Sequence, residues 1–299
     1  MIALSLLKAV RPRQWTKNLI IYGALVFDQK LLDLPSVVST TIGFFLLCLA
    51  AGTVYIINDI VDVEKDRQHP VKRQRPIASG QISILGAISF AAILLLVTLP
   101  ISFWLNPNFG WLIVLYLVLH VAYSFKLKHM VIIDAMSIAA GFTIRVGAGV
   151  ALIEVARFSP WLFACSTLLM LFMAFGKRRQ EIVLMKDMAE TTRTILGDYS
   201  IELLDHIIII IASSTIMAYA LYTFNAPHLP DNHAMMLTIP FVVYGVFRYL
   251  YLIHIQGLGG DPSEVLLQDR SLQLTLLLWG ICAITIVYWE NLSLTIFSL

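Results

Sequence analysis

The sequence predicts an all-α polytopic membrane protein, with about nine transmembrane helices around a central cavity that faces the cytoplasm. Three observations predict it. The 299 residues are 59% hydrophobic and only 13% charged, with a mean hydropathy of +0.81, a composition that ordinary soluble domains do not have. Apolar runs of about 20 residues, the length a helix needs to cross the hydrocarbon core, recur along the whole chain. Lys and Arg gather in alternate connections between those runs.

The apolar runs are 15–32, 36–57, 83–104, 109–125, 130–151, 158–176, 203–224, 235–255 and 272–296. Lys17 and Asn18 interrupt the first and the fourth is short, so eight helices is the alternative count. Lys8, Arg11, Arg13 and Lys17 lie at the N-terminus; Lys65, Arg67, Lys72, Arg73 and Arg75 follow the second run; Lys126 and Lys128 follow the fourth. After the sixth come Lys177, Arg178, Arg179, Lys186 and Arg193, and after the eighth Arg270, whereas the opposite connections hold Lys30 and Arg157. The positive-inside rule assigns the basic side to the cytoplasm of the cell's inner (plasma) membrane and, with nine crossings, puts the C-terminus outside.

The two basic connections after the second and sixth runs are expected to be loops of about 25 residues each, and long loops tend to carry function. External connections are short, as at Leu105 to Asn108 and Pro227 to Asp231. No Gly/Ser linker or low-complexity tract divides the chain, so residues 1–299 read as one domain. Segments 58–80 and 177–200 occupy similar places, which hints at an internal repeat. No cleavable signal peptide is evident, so the mature chain is expected to start at Met1. Cys48, Cys165 and Cys282 lie in apolar stretches without pairing or metal-ligand spacing and read as core residues. A formal charge of +2 gives no reason to expect a nucleic-acid partner. A homo-oligomer is compatible with the sequence.

The segment Asn58-Asp59-Ile60-Val61-Asp62-Val63-Glu64-Lys65-Asp66 emerges straight from the second apolar run. As the end of a helix it would stack Asp59, Asp62 and Asp66 on one stripe. Stacked carboxylates repel unless a cation joins them, and hard oxygen ligands suit an Mg²⁺ that also holds substrate phosphates. Asn58, Asp59, Asp62 and Asp66 are the candidate metal ligands, against a plain solvated helix end. The following Arg67 to Arg75 stretch would place cations for an anion beside them, although positive-inside determinants look the same. Within the apolar runs, Asp134 and Arg145 lie eleven residues apart on the fifth and so near one face. Charges in a bilayer are costly and usually face a polar cavity; the alternative is a structural ion pair with a separate partner for each. Arg248 invites the same two readings. Tyr123 and Tyr199 stand beside basic connections and could hydrogen-bond a phosphate or ribose. His69, His120, His129, His206 and His254 show no metal-ligand spacing.

The motif Asn58-Asp59-x-x-Asp62-x-x-x-Asp66, followed by Arg75-Pro76-Ile77-x-Ser79-Gly80, resembles the first signature of the UbiA superfamily of intramembrane prenyltransferases. The family's second aspartate-rich motif is replaced by Phe175-Gly176-Lys177-Arg178-Arg179-Gln180-Glu181. Four stretches resemble one branch, the polyprenyl-phosphate phosphoribosyltransferases: Arg11-Pro12-Arg13-Gln14-Trp15-Thr16-Lys17-Asn18, Tyr123-Ser124-Phe125-Lys126, Gly176-Lys177-Arg178-Arg179, and Asp261-Pro262-Ser263-Glu264 with Asp269-Arg270.

The resemblance implies Mg²⁺ as cofactor, phosphoribosyl diphosphate as donor and a polyprenyl phosphate of the decaprenyl phosphate type as acceptor, with a product feeding arabinan precursors for the envelope. Asp59, Asp62 and Asp66 would act on the leaving diphosphate. Lys177, Arg178 and Arg179 would hold the donor's 5-phosphate, and Arg67, Arg75 and Arg270 would bind substrate; Lys17, Lys126, Lys128 and Arg145 would hold the acceptor phosphate; Asp134 would line the cavity mouth. The competing readings are an aromatic or haem prenyltransferase with a prenyl diphosphate donor and, from another class, a transporter.

Overall fold

The computed structural model describes residues 2–153, 160–187, 197–226, 229–230, 232–258, 265–266 and 268–297, with side chains omitted at 185–187 and 290–297. Every regular element among them is helical: α1 (Ile2–Ala9), a 3₁₀ helix (Pro12–Tyr22), α2 (Gly23–Phe27), α3 (Leu34–Val61), α4 (Val63–Gln68), α5 (Ile84–Leu105), α6 (Pro107–Phe125), α7 (Ile133–Ala151), α8 (Pro160–Asp187), α9 (Ile201–Asn225), α10 (Ile239–His254) and α11 (Arg270–Phe297), with short 3₁₀ turns between some of them. Eight helical spans among the described residues are long and apolar enough to cross a membrane, formed by α3 and α5 to α11. The chain is an all-α, multi-pass membrane protein.

Helix boundaries follow local chemistry. Asp33 caps α3 by accepting the Ser36 N–H at 3.2 Å, with Pro35 in the first turn. Ser83 caps α5, Ser200 caps α9, and Asn106 accepts from Asn108 and Phe109 ahead of α6, which starts on Pro107. These are the side chains and ring that satisfy or dispense with unpaired N–H groups at a helix start.

The first apolar run differs from expectation. Residues 12–27 form the 3₁₀ helix and the five-residue α2 instead of one long α-helix. They run antiparallel to α3: Arg11 bonds Asp59, Asn18 donates to Cys48 Sγ at 3.2 Å, and Tyr22 donates to Thr41 at 3.2 Å. At about 2.0 Å per residue, 3₁₀ geometry lets this polar-interrupted stretch follow most of α3. Gly149 admits it, since a Cβ there would stand 2.1 Å from the Ile21 carbonyl oxygen.

A second difference concerns the basic stretch 177–187, expected in a loop. It continues α8 as helix. Its Lys, Arg, Gln, Glu and Met residues are good helix formers, and Arg178 pairs with Glu181 three residues on.

Two compact units interleave along the chain, one from 1–25, 30–128 and 144–155, the other from 26–29, 129–143 and 156–299. In the first, α3 packs on α5 and α6 around Leu47, Ala50, Phe109, Ile113 and Tyr116. In the second, α9 packs on α8 and α10, and α10 on α11, around Phe172, Leu204, Ile208 and Leu252. Leu96, Trp104, Trp111 and Val118 on α5 and α6, and Leu274, Leu277 and Trp289 on α11, are exposed, as side chains meeting lipid would be.

Candidate active site

The strongest concentration of charge in the first unit lies where α3 gives way to α4. Asp62 caps α3 with φ −96° and ψ 10°, outside helical geometry, yet accepts the Asp66 N–H at 2.8 Å while its own N–H reaches the Asn58 carbonyl at 2.9 Å. This break divides the expected stripe of three carboxylates. Asp59 and Asp66 are buried, at 2% and 3% exposure. Their carboxylates meet on one nitrogen, Arg75 Nη1, at 3.0 and 2.5 Å. Asp59 also accepts from Arg11, whose guanidinium lies 4.8 Å from the Tyr55 ring centroid. Asp62 turns instead to Lys128, whose Nζ is 2.7 and 3.0 Å from its two oxygens.

Three aspartates are thus matched by three cations brought from distant sequence. Arg11 precedes the 3₁₀ helix and sits in the left-handed region at φ 51°, a conformation uncommon for a side-chain-bearing residue. Arg75 ends a turn and is followed by Pro76, with Ser79 Oγ donating to its carbonyl at 2.8 Å. Lys128 lies just past α6. These contacts put the N-terminal, 65–75 and 126–128 basic segments at one end of α3, as the charge count required.

Of the other expected site residues in this unit, Asn58 is half-buried, Lys126 and Arg67 are exposed, and Lys17 and Tyr123 are half-buried. Arg67 is engaged by Glu64 at 2.7 Å, a solvent-exposed pair of little energetic weight. Arg145 belongs elsewhere: 4% exposed, it donates to Asn18 Oδ1 and to the Tyr116 hydroxyl, both at 2.8 Å. Its place is a polar cluster inside the unit.

The second unit holds a separate ionic network. Asp134, fully buried, accepts from Arg178 Nε at 2.5 Å and from the Tyr199 hydroxyl at 2.7 Å. Tyr199 OH in turn accepts the Ile132 backbone N–H at 2.5 Å, and Arg178, 1% exposed, also bonds Glu181. Ile132 has φ 69°, a strained conformation for a β-branched residue, and this turn starts the chain into α7. Burial, reinforced by the bond to Asp134, pushes the Tyr199 hydroxyl above the ordinary tyrosine value. Arg178, within α8, and Tyr199, just ahead of α9, both expected at a phosphate, bond this buried carboxylate.

Arg179 pairs with Asp205 and donates to the Ile253 carbonyl at 3.2 Å. Lys177 is half-buried on α8 and Arg270 is exposed at the start of α11. Arg248, whose partner was not nameable from sequence, reaches Asp269 at 2.7 Å, and Asp269 also accepts the Leu272 N–H at 2.8 Å. The Asp261 to Glu264 stretch lies outside the described residues.

Among the described residues, no group of three or more His, Cys, Asp or Glu is gathered as a metal-ligand set. Asp59 and Asp66 converge with the hard oxygen donors that a divalent cation takes, whereas Asp62 is turned to Lys128. Asp59 and Asp66 come from consecutive helices to converge on a point already filled by positive charge, Arg75 Nη1, and Asp62 lies between them in sequence. Carboxylate oxygens are the donors Mg²⁺ takes when it also holds phosphates.

Reasoning from sequence missed Arg11 as a partner of Asp59. No spacing rule links residues 48 positions apart; the signal was its place in the basic N-terminal segment. Asn18 and Tyr116 were missed as partners of Arg145 for the same reason.

Comparison with known proteins agrees with this architecture. The UbiA prenyltransferase family model matches residues 19–261. A decaprenyl-phosphate phosphoribosyltransferase of Mycolicibacterium smegmatis is 35% identical over 289 residues, covering 92% of this chain and 89% of its own. One from Mycobacterium tuberculosis is 33% identical over 276 residues, covering 91% and 90%. The structure of a UbiA homolog from Archaeoglobus fulgidus bound to GPP and Mg²⁺ shares the fold, with a TM-score of 0.71 over 95% of this chain and 99% of that one at 16% identity. This chain belongs to the UbiA prenyltransferase family.

Proposed function

We propose that the protein transfers a 5-phosphoribosyl group from phosphoribosyl diphosphate to a polyprenyl phosphate of the decaprenyl phosphate type, releasing diphosphate, in an Mg²⁺-dependent reaction. The observation that carries this reading is the set of three aspartates matched by Arg11, Arg75 and Lys128 at the end of one membrane-spanning helix. Such a set suits a polyanion that arrives with a divalent cation. The choice of donor and acceptor rests on the relatives named decaprenyl-phosphate phosphoribosyltransferase.

Asp59, Asp62 and Asp66 would hold Mg²⁺, which would supply charge neutralisation for the leaving diphosphate. Arg11 and Arg75, at 27% and 26% side-chain exposure, present guanidinium N–H groups that match phosphate oxygens. Lys126, and Lys17 on the segment that carries Arg11, hold the acceptor phosphate. That phosphate is already anionic, so its oxygen needs placement at C1 more than a base to deprotonate it. The polyprenyl tail remains in the bilayer, and the site faces the cytoplasm of the inner membrane, where the soluble donor is found.

Mass spectrometry of the lipid extract, after incubation of purified protein with phosphoribosyl diphosphate, Mg²⁺ and decaprenyl phosphate, tests this. The expected product is the acceptor enlarged by one phosphoribosyl group, with diphosphate released. An unchanged lipid, together with transfer of the geranyl group of geranyl diphosphate to an aromatic acceptor and release of diphosphate, would assign the chain to prenyl transfer instead.

A further inference from the structure

We infer that Arg75 is a resident counter-cation that must release Asp59 and Asp66 before a divalent ion can bind them, so that metal and donor diphosphate bind cooperatively. The inference rests on the metal–diphosphate reading above and concerns what the chain does before either ligand arrives.

Asp59 and Asp66 are both buried and share Arg75 Nη1. Two carboxylates that share one nitrogen repel each other, and the Arg75 guanidinium lies between them. The whole cluster is neutral, since Asp59, Asp62 and Asp66 face Arg11, Arg75 and Lys128. A dication added with all three basic side chains in place would leave two positive charges uncompensated in a partly buried site. Diphosphate supplies the missing negative charge and gives the displaced guanidinium a new bidentate partner.

Arg75 is suited to this exchange and Arg11 is not. Arg75 stands on a turn with extended backbone, φ −62° and ψ 143°, is 26% exposed, and has its main chain anchored by Ser79. Its side chain can swing while its backbone stays. Arg11 is stacked on Tyr55 as well as bonded to Asp59.

The test uses Mn²⁺ as a spectroscopic probe, with free ion measured by electron paramagnetic resonance, on the purified full chain in detergent, with and without inorganic diphosphate. Wild type should bind Mn²⁺ at least about tenfold more tightly when diphosphate is present. Arg75→Gln should bind Mn²⁺ alone about tenfold more tightly than wild type and lose most of the enhancement by diphosphate. Its unfolding temperature should fall in EDTA and recover with Mn²⁺. Should Arg75→Gln not fold, Arg75→Lys decides the point: its shorter, more strongly hydrated side chain holds the carboxylate pair less tightly than the guanidinium, so Mn²⁺ affinity in the absence of diphosphate should still rise severalfold. Unchanged or weaker Mn²⁺ binding by a folded Arg75 variant, with wild-type binding intact, overturns the inference alone. Absence of Mn²⁺ binding by wild type under both conditions overturns the metal reading itself.

Discussion

Asp59 and Asp66, one closing the main body of α3 and the other on α4, meet on a single nitrogen of Arg75, at 3.0 and 2.5 Å. The break at Asp62 makes this meeting: it turns α4 so that Asp66 points back at Asp59 while Asp62 goes to Lys128. Local backbone geometry, set by one residue, thus decides which carboxylates can act on the same ion.

Asp66→Asn should lower phosphoribosyl transfer by about 100-fold or more, because a neutral amide contributes less to neutralising a leaving diphosphate. Initial rates at saturating donor and Mg²⁺ check it. A loss under about fivefold would place Asp66 outside the metal set.

The Asp134–Arg178 pair predicts a stability effect of a different kind. Removing one partner leaves the other charged and buried, which typically costs about 3–5 kcal/mol, whereas replacing both by apolar residues is far milder. Arg178→Met and Asp134→Leu should each lower the unfolding temperature in detergent sharply, and the double variant should recover much of the loss. Additive losses would mean the two residues are not coupled.

Tyr199 adds a pH dependence. Its hydroxyl is held above the ordinary tyrosine value, chiefly by burial and next by the bond to Asp134. The protonated form is therefore favoured by folding, so its contribution is fully present below the unfolded tyrosine value of about 10 and is lost as pH rises through the folded value. Wild type should exceed Tyr199→Phe by about 1–3 kcal/mol in unfolding free energy between about pH 6 and 9, with the gap closing above about pH 10. A gap that widens with alkali would contradict the assignment.

Gly149→Ala tests the close approach of the 3₁₀ segment. The new methyl would fall 2.1 Å from a backbone oxygen, Ile21 O, whereas a Cβ on Gly245 meets nothing within 4 Å. Gly149→Ala should cut the yield of folded protein severely, and Gly245→Ala should leave it unchanged or slightly raised. Size-exclusion profiles in detergent separate the two.

Much of this molecule was legible in the sequence because a bilayer imposes long apolar runs and biased charge. The runs from 36 onward each became a membrane-crossing helix, and Asp59, Asp62 and Asp66 stand where α3 ends. The first run was harder to read, since Lys17 and Asn18 reflect a segment whose shape comes from packing against α3 and not from its own periodicity. The stretch 177–187 looked like a loop because it is charged, yet charge does not prevent helix, and Arg178 finds its partner Asp134 44 positions away. Long-range ion pairs such as Arg11–Asp59 leave no local trace, so sequence could name the carboxylates at the site, with Arg75 and Lys128 among its cations, but not which cation pairs with which aspartate.

The most direct test of the account is the initial rate at which label passes from radiolabelled phosphoribosyl diphosphate into the organic phase, measured against Mg²⁺ concentration with and without decaprenyl phosphate, for wild type and Asp66→Asn. Transfer should require both Mg²⁺ and the lipid and nearly vanish in the variant. Transfer at the wild-type rate by Asp66→Asn, or no labelled lipid from wild type at any Mg²⁺ concentration, would contradict it.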